Sequence, residues 1–384
     1  MRICFVSDSI HTKKWVRYFA DKGHEVHLIS PTPFDGDKVW NVSYYSLKRI
    51  PPQIRIISFL INNIWFLVQM RKLVRKIKPD IVHAHYITDC GFLAALSGFH
   101  PLVVSVLGSD VFVDPYKSIF YRYILRFVLK RADSVMTISR YATEFVQKEF
   151  NVPPDKIATF YWGIDISVFQ KGYLSEVETL RKTLNIDDHS FIVLSPRTMS
   201  ALYGIEFIIK SIPDVIKKHL NVCFVFLRGW PTDSAYENKL YENKLQTIAE
   251  DLGVKEYMRV VSKFLEPEDM AKYYNMCDAI VSIPRTDGFS GSILEVMACG
   301  AIPIVGNLQV YREYLIDGEN VFFVDRENPK DIAEKVIYCI EHPEVKERFY
   351  KLNREIIEKD QDWNKNALLV EKWHRSIAEG KLPE

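Results

Sequence analysis

The stretch DGFSGSILE, from Asp287 to Glu295, sets two carboxylates around a segment of glycine and serine. Glu295 could accept hydrogen bonds from two vicinal hydroxyls, as on a ribose, and Asp287 could do the same for a second polyol. Between them, Gly288 and Gly291 allow close backbone approach to a ligand. The amides from Gly291 to Leu294 open a helix, whose free N–H groups and dipole favour an anion such as a diphosphate. A capping box is the alternative: Ser292-Ile293-Leu294-Glu295 fits one, with Glu295 in the first turn and its carboxylate on the Ser292 amide. The segment by itself fits both.

The flanking residues say how such a loop is held. Ala279 to Ile283 is a short β-branched run bounded by Pro284 and reads as a buried parallel strand. Ile293 to Cys299 reads as a helix stopped by Gly300, and Ala301 to Val305 as the next strand. The loop therefore opens at the carboxyl end of a strand, where doubly wound proteins bind ligands.

The same alternation runs along the chain. Strands are predicted at 3–6, 25–29, 80–85, 102–106, 134–138 and 157–161, with helices at 13–21, 55–77 (whole or in two pieces), 90–98, 118–131 and 140–150. After Gly163 a polar connector runs to about Ser190. The rhythm restarts with strands at 191–194, 222–227 and 258–261 and helices at 205–219, 236–252 and 267–276. The expected fold class is α/β: two Rossmann-like, doubly wound parallel-sheet domains facing a cleft.

Composition bounds the function. A chain of 384 residues, 48% hydrophobic and 26% charged, is globular and long enough for two domains. Its six cysteines (Cys4, Cys90, Cys223, Cys277, Cys299 and Cys339) are scattered, as expected of reduced thiols without zinc spacing. No G-x-G-x-x-G or Walker A loop is present, which argues against dinucleotide and P-loop chemistry. The opening residues already read as a strand, so no signal peptide is expected. The apolar run from Ile56 to Met70 holds Asn62 and Asn63 and is too short and polar to span a bilayer. The net charge of +1 conceals an excess of Lys and Arg in the first 165 residues and an excess of acids in the rest.

In order along the chain, MRICFVSDSIHTKKWVRYFADKGHEVHLIS, DIVHAHYITDCGFLAAL, VVSVLGSDV, ADSVMTISRYATEFV, YWGIDISVF and TDGFSGSILEVMACGAIPIV resemble the motifs of family 4 (group 1) retaining nucleotide-sugar glycosyltransferases. The likeness covers nearly the whole chain. It implies the GT-B fold, with residues 1–165 as an acceptor-side domain rejoined by a helix at about 362–384. Residues 166–361 would be the nucleotide-sugar domain.

The implied reaction moves a sugar from a nucleotide diphosphate sugar to an acceptor hydroxyl with retention. It is a hexosyltransferase-type step in glycan or lipid-linked saccharide assembly, with no cofactor and no metal. The resemblance assigns Glu295 to the ribose and Asp287 to the donor sugar. Gly291, Ser292 and Ile293 fall at the diphosphate, and Ser290 and Phe289 join the donor site. Arg197, in SPRTM, falls where the family grips the phosphates, and a guanidinium does fork onto phosphate oxygens.

Several positions depart from the family pattern. Asp287 stands where the family has Glu, and Tyr203 where it commonly has Lys. Leu107 replaces a histidine beside the reacting sugar, with Asp110 following as a possible polar contact. Ser7-Asp8-Ser9-Ile10-His11 replaces a glycine-rich turn, making Asp8 and His11 candidates for the acceptor side. His83 and His85 lie near a strand end and are expected to face opposite sides, with His85 a further cleft candidate. Two rivals remain: a nucleotide-sugar 2-epimerase of the same fold, and a non-catalytic partner subunit, to which Leu107 and Tyr203 point.

The basic bias has its own implication. Arg55, Arg71, Lys72, Arg75, Lys76 and Lys78 flank an apolar segment, while Arg122, Arg126, Lys130 and Arg131 share a helix with Phe120, Tyr123 and Phe127. That pattern suits an anionic membrane surface rather than nucleic acid, with the protein cytoplasmic and peripheral at the inner leaflet. Alternatively, Ile57, Leu60, Ile64, Leu67 and Phe127 pack into the first domain.

Overall fold

The computed structural model describes residues 1–9, 11–33, 38–48, 55–228, 235–263 and 265–381, with no side-chain description at 55–63 and 235–238. Ile10 and the side chains of Arg55, Ile57 and Leu60 lie outside the described residues. The chain forms two compact units, Met1–Trp162 with Asn364–Glu384, and Gly163–Trp363.

The first unit is built on seven parallel strands: β1 (Arg2–Val6), β2 (Glu25–Ser30), β3 (Val42–Ser46), β4 (Ile81–His85), β5 (Leu102–Ser105), β6 (Ser134–Thr137) and β7 (Ile157–Thr159). Their order is β3-β2-β1-β4-β5-β6-β7, so the crossover direction reverses between β1 and β4. Strands covered on both faces read as unbroken apolar runs, which is why β1, β4 and β5 were legible. The edge strand β3 was not expected: its sequence VSYYS is only partly buried and owes its conformation to pairing with β2. Helix Thr12–Asp21 buries Trp15, Val16, Phe19 and Ala20 along one face and ends at Gly23, which takes a positive φ.

The second unit repeats the plan with β8 (Phe191–Ser195), β9 (Val222–Leu227), β10 (Met258–Val261), β11 (Ala279–Ser282), β12 (Ile302–Gly306) and β13 (Phe322–Val324), ordered β10-β9-β8-β11-β12-β13 and all parallel. Its reversal falls between β8 and β11. The stretch expected to be only a polar connector carries a helix, Leu174–Thr183, that shows no buried residue. Helix Arg55–Ile77 is unbroken. Among the described residues, no helix is long and apolar enough to cross a membrane. All six cysteines are buried free thiols.

The last helix, Trp363–Ala378, brings the His374 imidazole into the first unit's core. His374 Nε2 meets His83 Nδ1 at 3.0 Å, and the other nitrogen of His83 meets the Ser105 hydroxyl at 2.7 Å. His83 and His85 do not face opposite sides: their ring centroids are 4.6 Å apart. A strand repeats every two residues, so positions 83 and 85 share a face.

Burial, reinforced by neighbouring His11, holds the His85 imidazole down at about 3. Burial, reinforced by His85 and His24, does the same to His374. In the unfolded chain both titrate near pH 6.5, so below that pH the unfolded state gains protons that the folded state refuses. Their contribution to stability is complete above about pH 6.5 and is lost progressively towards pH 3. Asp110 acts in the opposite sense, because burial raises its carboxyl to about 6 against three amide hydrogen bonds. At pH 5 each of the two histidines costs about 2 kcal/mol, and Asp110 offsets about 1 kcal/mol. Calorimetry should therefore show a lower unfolding temperature at pH 5 than at pH 7.5, with a smaller difference in His374→Leu. An unfolding temperature independent of pH across that range would contradict the assignment.

Candidate active site

The site of the second unit forms where its sheet order reverses. Arg197 lies in the loop after β8 and Asp287 in the loop after β11, two neighbouring strands at the switch point. The guanidinium Nη2 donates to Asp287 Oδ2 at 3.1 Å. Nη1 donates to the Ser292 hydroxyl at 3.2 Å and also to the Ser290 hydroxyl. Both charged side chains are largely buried, 14% and 13% exposed. Burial works against the guanidinium's charge, but the adjacent Asp287 carboxylate outweighs it, so Arg197 holds its proton more tightly than usual.

Two tyrosines complete this cluster. The Arg197 guanidinium lies 4.3 Å from the ring centre of Tyr203, the residue that departs from the family's lysine. The Tyr311 hydroxyl donates to Asp287 Oδ2 at 2.9 Å, while the Gly288 N–H donates to Oδ1 at 2.8 Å. Burial and the Asp287 charge together push the Tyr311 phenol well above its usual range, so it stays a donor. Phe289 sets its ring edge-on to Tyr311 and Tyr314. Sequence spacing gave no sign of Tyr311, which arrives from the turn beyond β12.

Helix Gly291–Cys299 begins two residues earlier than expected and ends at Gly300 in the left-handed conformation, as its sequence requires. Ser290 is its N-cap and makes no side-chain cap hydrogen bond. Ser292 therefore lies inside the helix and Glu295 beyond its first turn, so the capping box does not form. The Glu295 carboxylate instead accepts the Tyr274 hydroxyl at 2.9 Å, from helix Pro267–Met276. Burial and then Glu295 raise the Tyr274 phenol well above its usual range, keeping it protonated as a donor.

The amides also differ from expectation. Ile293 N–H and Leu294 N–H both donate to the Ser290 carbonyl, at 3.1 and 3.4 Å. Gly291 and Ser292 are the positions whose N–H groups have no backbone acceptor among the described residues. A side chain at Gly291 would meet nothing within 4 Å, so packing within the chain does not demand glycine there.

In the first unit, Asp8 and His11 are exposed in the loop after β1 and His85 is buried at the end of β4, on either side of that unit's own switch point. His85 Nδ1 pairs with the Thr12 hydroxyl at 2.8 Å, and the His11 ring centroid lies 6.0 Å from that of Trp162. The Cys90 thiol donates to Asp8 at 3.8 Å. Asp110 is not placed for a substrate contact. It is fully buried, and its carboxylate accepts the N–H groups of Ile87, Leu107 and Gly108 at 2.8–3.1 Å, which fixes the turn after β5.

Two family models match the chain: Glycosyl transferase 4-like over residues 2–139 and Glycosyl transferases group 1 over residues 176–356. The chain belongs to the group 1 glycosyltransferases. Spore coat protein SA of Bacillus subtilis is 26% identical over 239 residues, 61% of this chain and 62% of that protein. The alpha-monoglucosyldiacylglycerol synthase of Acholeplasma laidlawii is 22% identical over 343 residues, 84% and 82% of the two chains. Among solved structures, Anabaena HepE in complex with UDP and glucose superposes with a TM-score of 0.80 at 17% identity, covering 98% of this glycosyltransferase and 100% of that chain. The fold is GT-B.

Proposed function

We propose that this glycosyltransferase moves a hexose from a nucleoside-diphosphate sugar to an acceptor hydroxyl with retention of configuration. The observation that carries the reading is Arg197, a largely buried cation tied to Asp287, Ser290 and Ser292 beside two helix-start amides with no backbone acceptor among the described residues. Such a cluster matches a diphosphate, whose negative charge grows as the sugar leaves. Glu295 takes the ribose hydroxyls and Asp287 the hydroxyls of the departing sugar. The counter-charge is assigned to Arg197 and the amides in place of a metal ion. The likeness to HepE bound to UDP and glucose supports a nucleotide-sugar donor.

Arg197→Ala should reduce kcat for donor turnover about a hundredfold, and its effect on UDP affinity should be smaller, because the charge acts most strongly on the leaving group. Glu295→Gln should instead weaken UDP roughly tenfold. An Arg197→Ala enzyme with unchanged kcat would remove that residue from the mechanism.

The acceptor is assigned as a glycan or a lipid-linked saccharide, met through exposed Asp8 and His11 with His85 buried behind them, and the protein is seated on the inner face of a membrane. Ile119, Phe120 and Tyr123 are 60–68% exposed on helix Ile119–Arg131, alongside exposed Arg126, Lys130 and Arg131. Helix Arg55–Ile77 exposes Ile64, Trp65 and Val68, then Arg71, Lys72, Arg75 and Lys76. Leu67 is half-buried, so only part of the apolar set packs inward. Phe127 is 38% exposed and touches Phe92 of helix Phe92–Ser97, and Arg71 bonds the Leu96 carbonyl of that helix, so both surfaces adjoin it. Aromatic residues beside cations suit anionic headgroups, at about 1 kcal/mol per Lys or Arg near the surface. Flotation should show binding to phosphatidylglycerol-containing liposomes that weakens with salt and is lost in Phe120→Ser/Tyr123→Ser. Binding indifferent to lipid charge and salt would contradict the membrane assignment.

A further inference from the structure

Asp287 Oδ2 is shared by two donors of different kinds: the charged guanidinium of Arg197 at 3.1 Å and the neutral hydroxyl of Tyr311 at 2.9 Å. Tyr311 is fully buried in the turn Gln309–Glu313, its N–H bonded to the Leu308 carbonyl and its ring fixed edge-on to Phe289. The same guanidinium already reaches the Ser290 and Ser292 hydroxyls, next to the free amides where a diphosphate would sit. An arriving diphosphate competes for Arg197 and repels the carboxylate beside it. A carboxylate only 13% exposed cannot make good that loss with water and needs a donor from the protein.

We propose that Tyr311 is a positioning residue. Its hydroxyl, with the Gly288 N–H, holds the Asp287 carboxylate facing the donor sugar once the diphosphate has drawn Arg197 away. This rests on the transferase reading. It assigns Tyr311 no contact with the reacting atoms, only control of Asp287 in the donor-loaded state. In the ligand-free protein Arg197 still holds the carboxylate, so loss of the phenol hydroxyl alone leaves Asp287 paired.

Tyr311→Phe keeps the ring and removes only the donor. Three measurements on the full chain test the proposal: UDP affinity by calorimetry, UDP release from UDP-glucose without acceptor (with GDP-mannose and ADP-glucose as alternative donors), and the ligand-free melting temperature. We expect kcat to fall at least tenfold, UDP affinity to change less than threefold, and the melting temperature to move by no more than about 2 °C. A purely structural role predicts the reverse, a lower melting temperature with kcat unchanged at 25 °C, and that result overturns the proposal while leaving the transferase reading intact. A wild-type protein that binds none of UDP, GDP or ADP and turns over none of the three donors overturns both.

Discussion

The site depends on one buried cation. Removing a guanidinium from water is costly unless its N–H groups and its charge are both met. Asp287 meets the charge of Arg197, and Ser290 and Ser292 meet N–H groups on its other arm. The pair leaves the neighbourhood close to neutral. Tyr203 covers the guanidinium face and Tyr311 anchors the carboxylate, so the carboxylate has a second donor besides the guanidinium.

The fold explains why these residues meet although they are far apart in sequence. Adjacent parallel strands β8 and β11 bring residues 197 and 287 to the same edge of the sheet. With the crossover direction reversed between them, no connecting helix covers the gap at their carboxyl ends. The first unit uses the same geometry between β1 and β4, where Asp8, His11 and His85 gather. Repetition of one topology thus gives each unit its own switch point, and side-chain chemistry distinguishes them: a cation and amides in one, imidazoles and a carboxylate in the other.

Much of this was legible in the sequence where local rules act. Buried parallel strands are continuous apolar runs, Gly300 ends its helix, and the Asp287–Glu295 loop announces itself by composition. Arg197 was singled out by the family resemblance, and the structure sets it beside Asp287. What stayed hidden is what long-range packing supplies. Tyr311 and Tyr274 reach Asp287 and Glu295 from separate elements, and neither tyrosine differs in sequence from an ordinary core residue. Asp110 looked like a site acid because an isolated carboxylate near a strand end carries no mark of the three amides that claim it. The capping box failed because the helix starts at Gly291, a shift that local pattern does not resolve. The same shift commits the Ile293 and Leu294 amides to Ser290 and leaves those of Gly291 and Ser292 without a backbone acceptor among the described residues.

The central claim, that a diphosphate rests on those two amides beside Arg197, is tested most directly at Gly291. A Cβ added there meets, beyond its chain neighbours and its own helix backbone, no atom of the described residues within 4 Å, so the chain itself tolerates alanine. Titration of UDP into Gly291→Ala, beside a melting curve of the free protein, isolates the ligand's demand for that space. The account predicts an unchanged or slightly raised melting temperature together with UDP binding weakened at least tenfold. Equal UDP affinity in the variant and the wild type would contradict it.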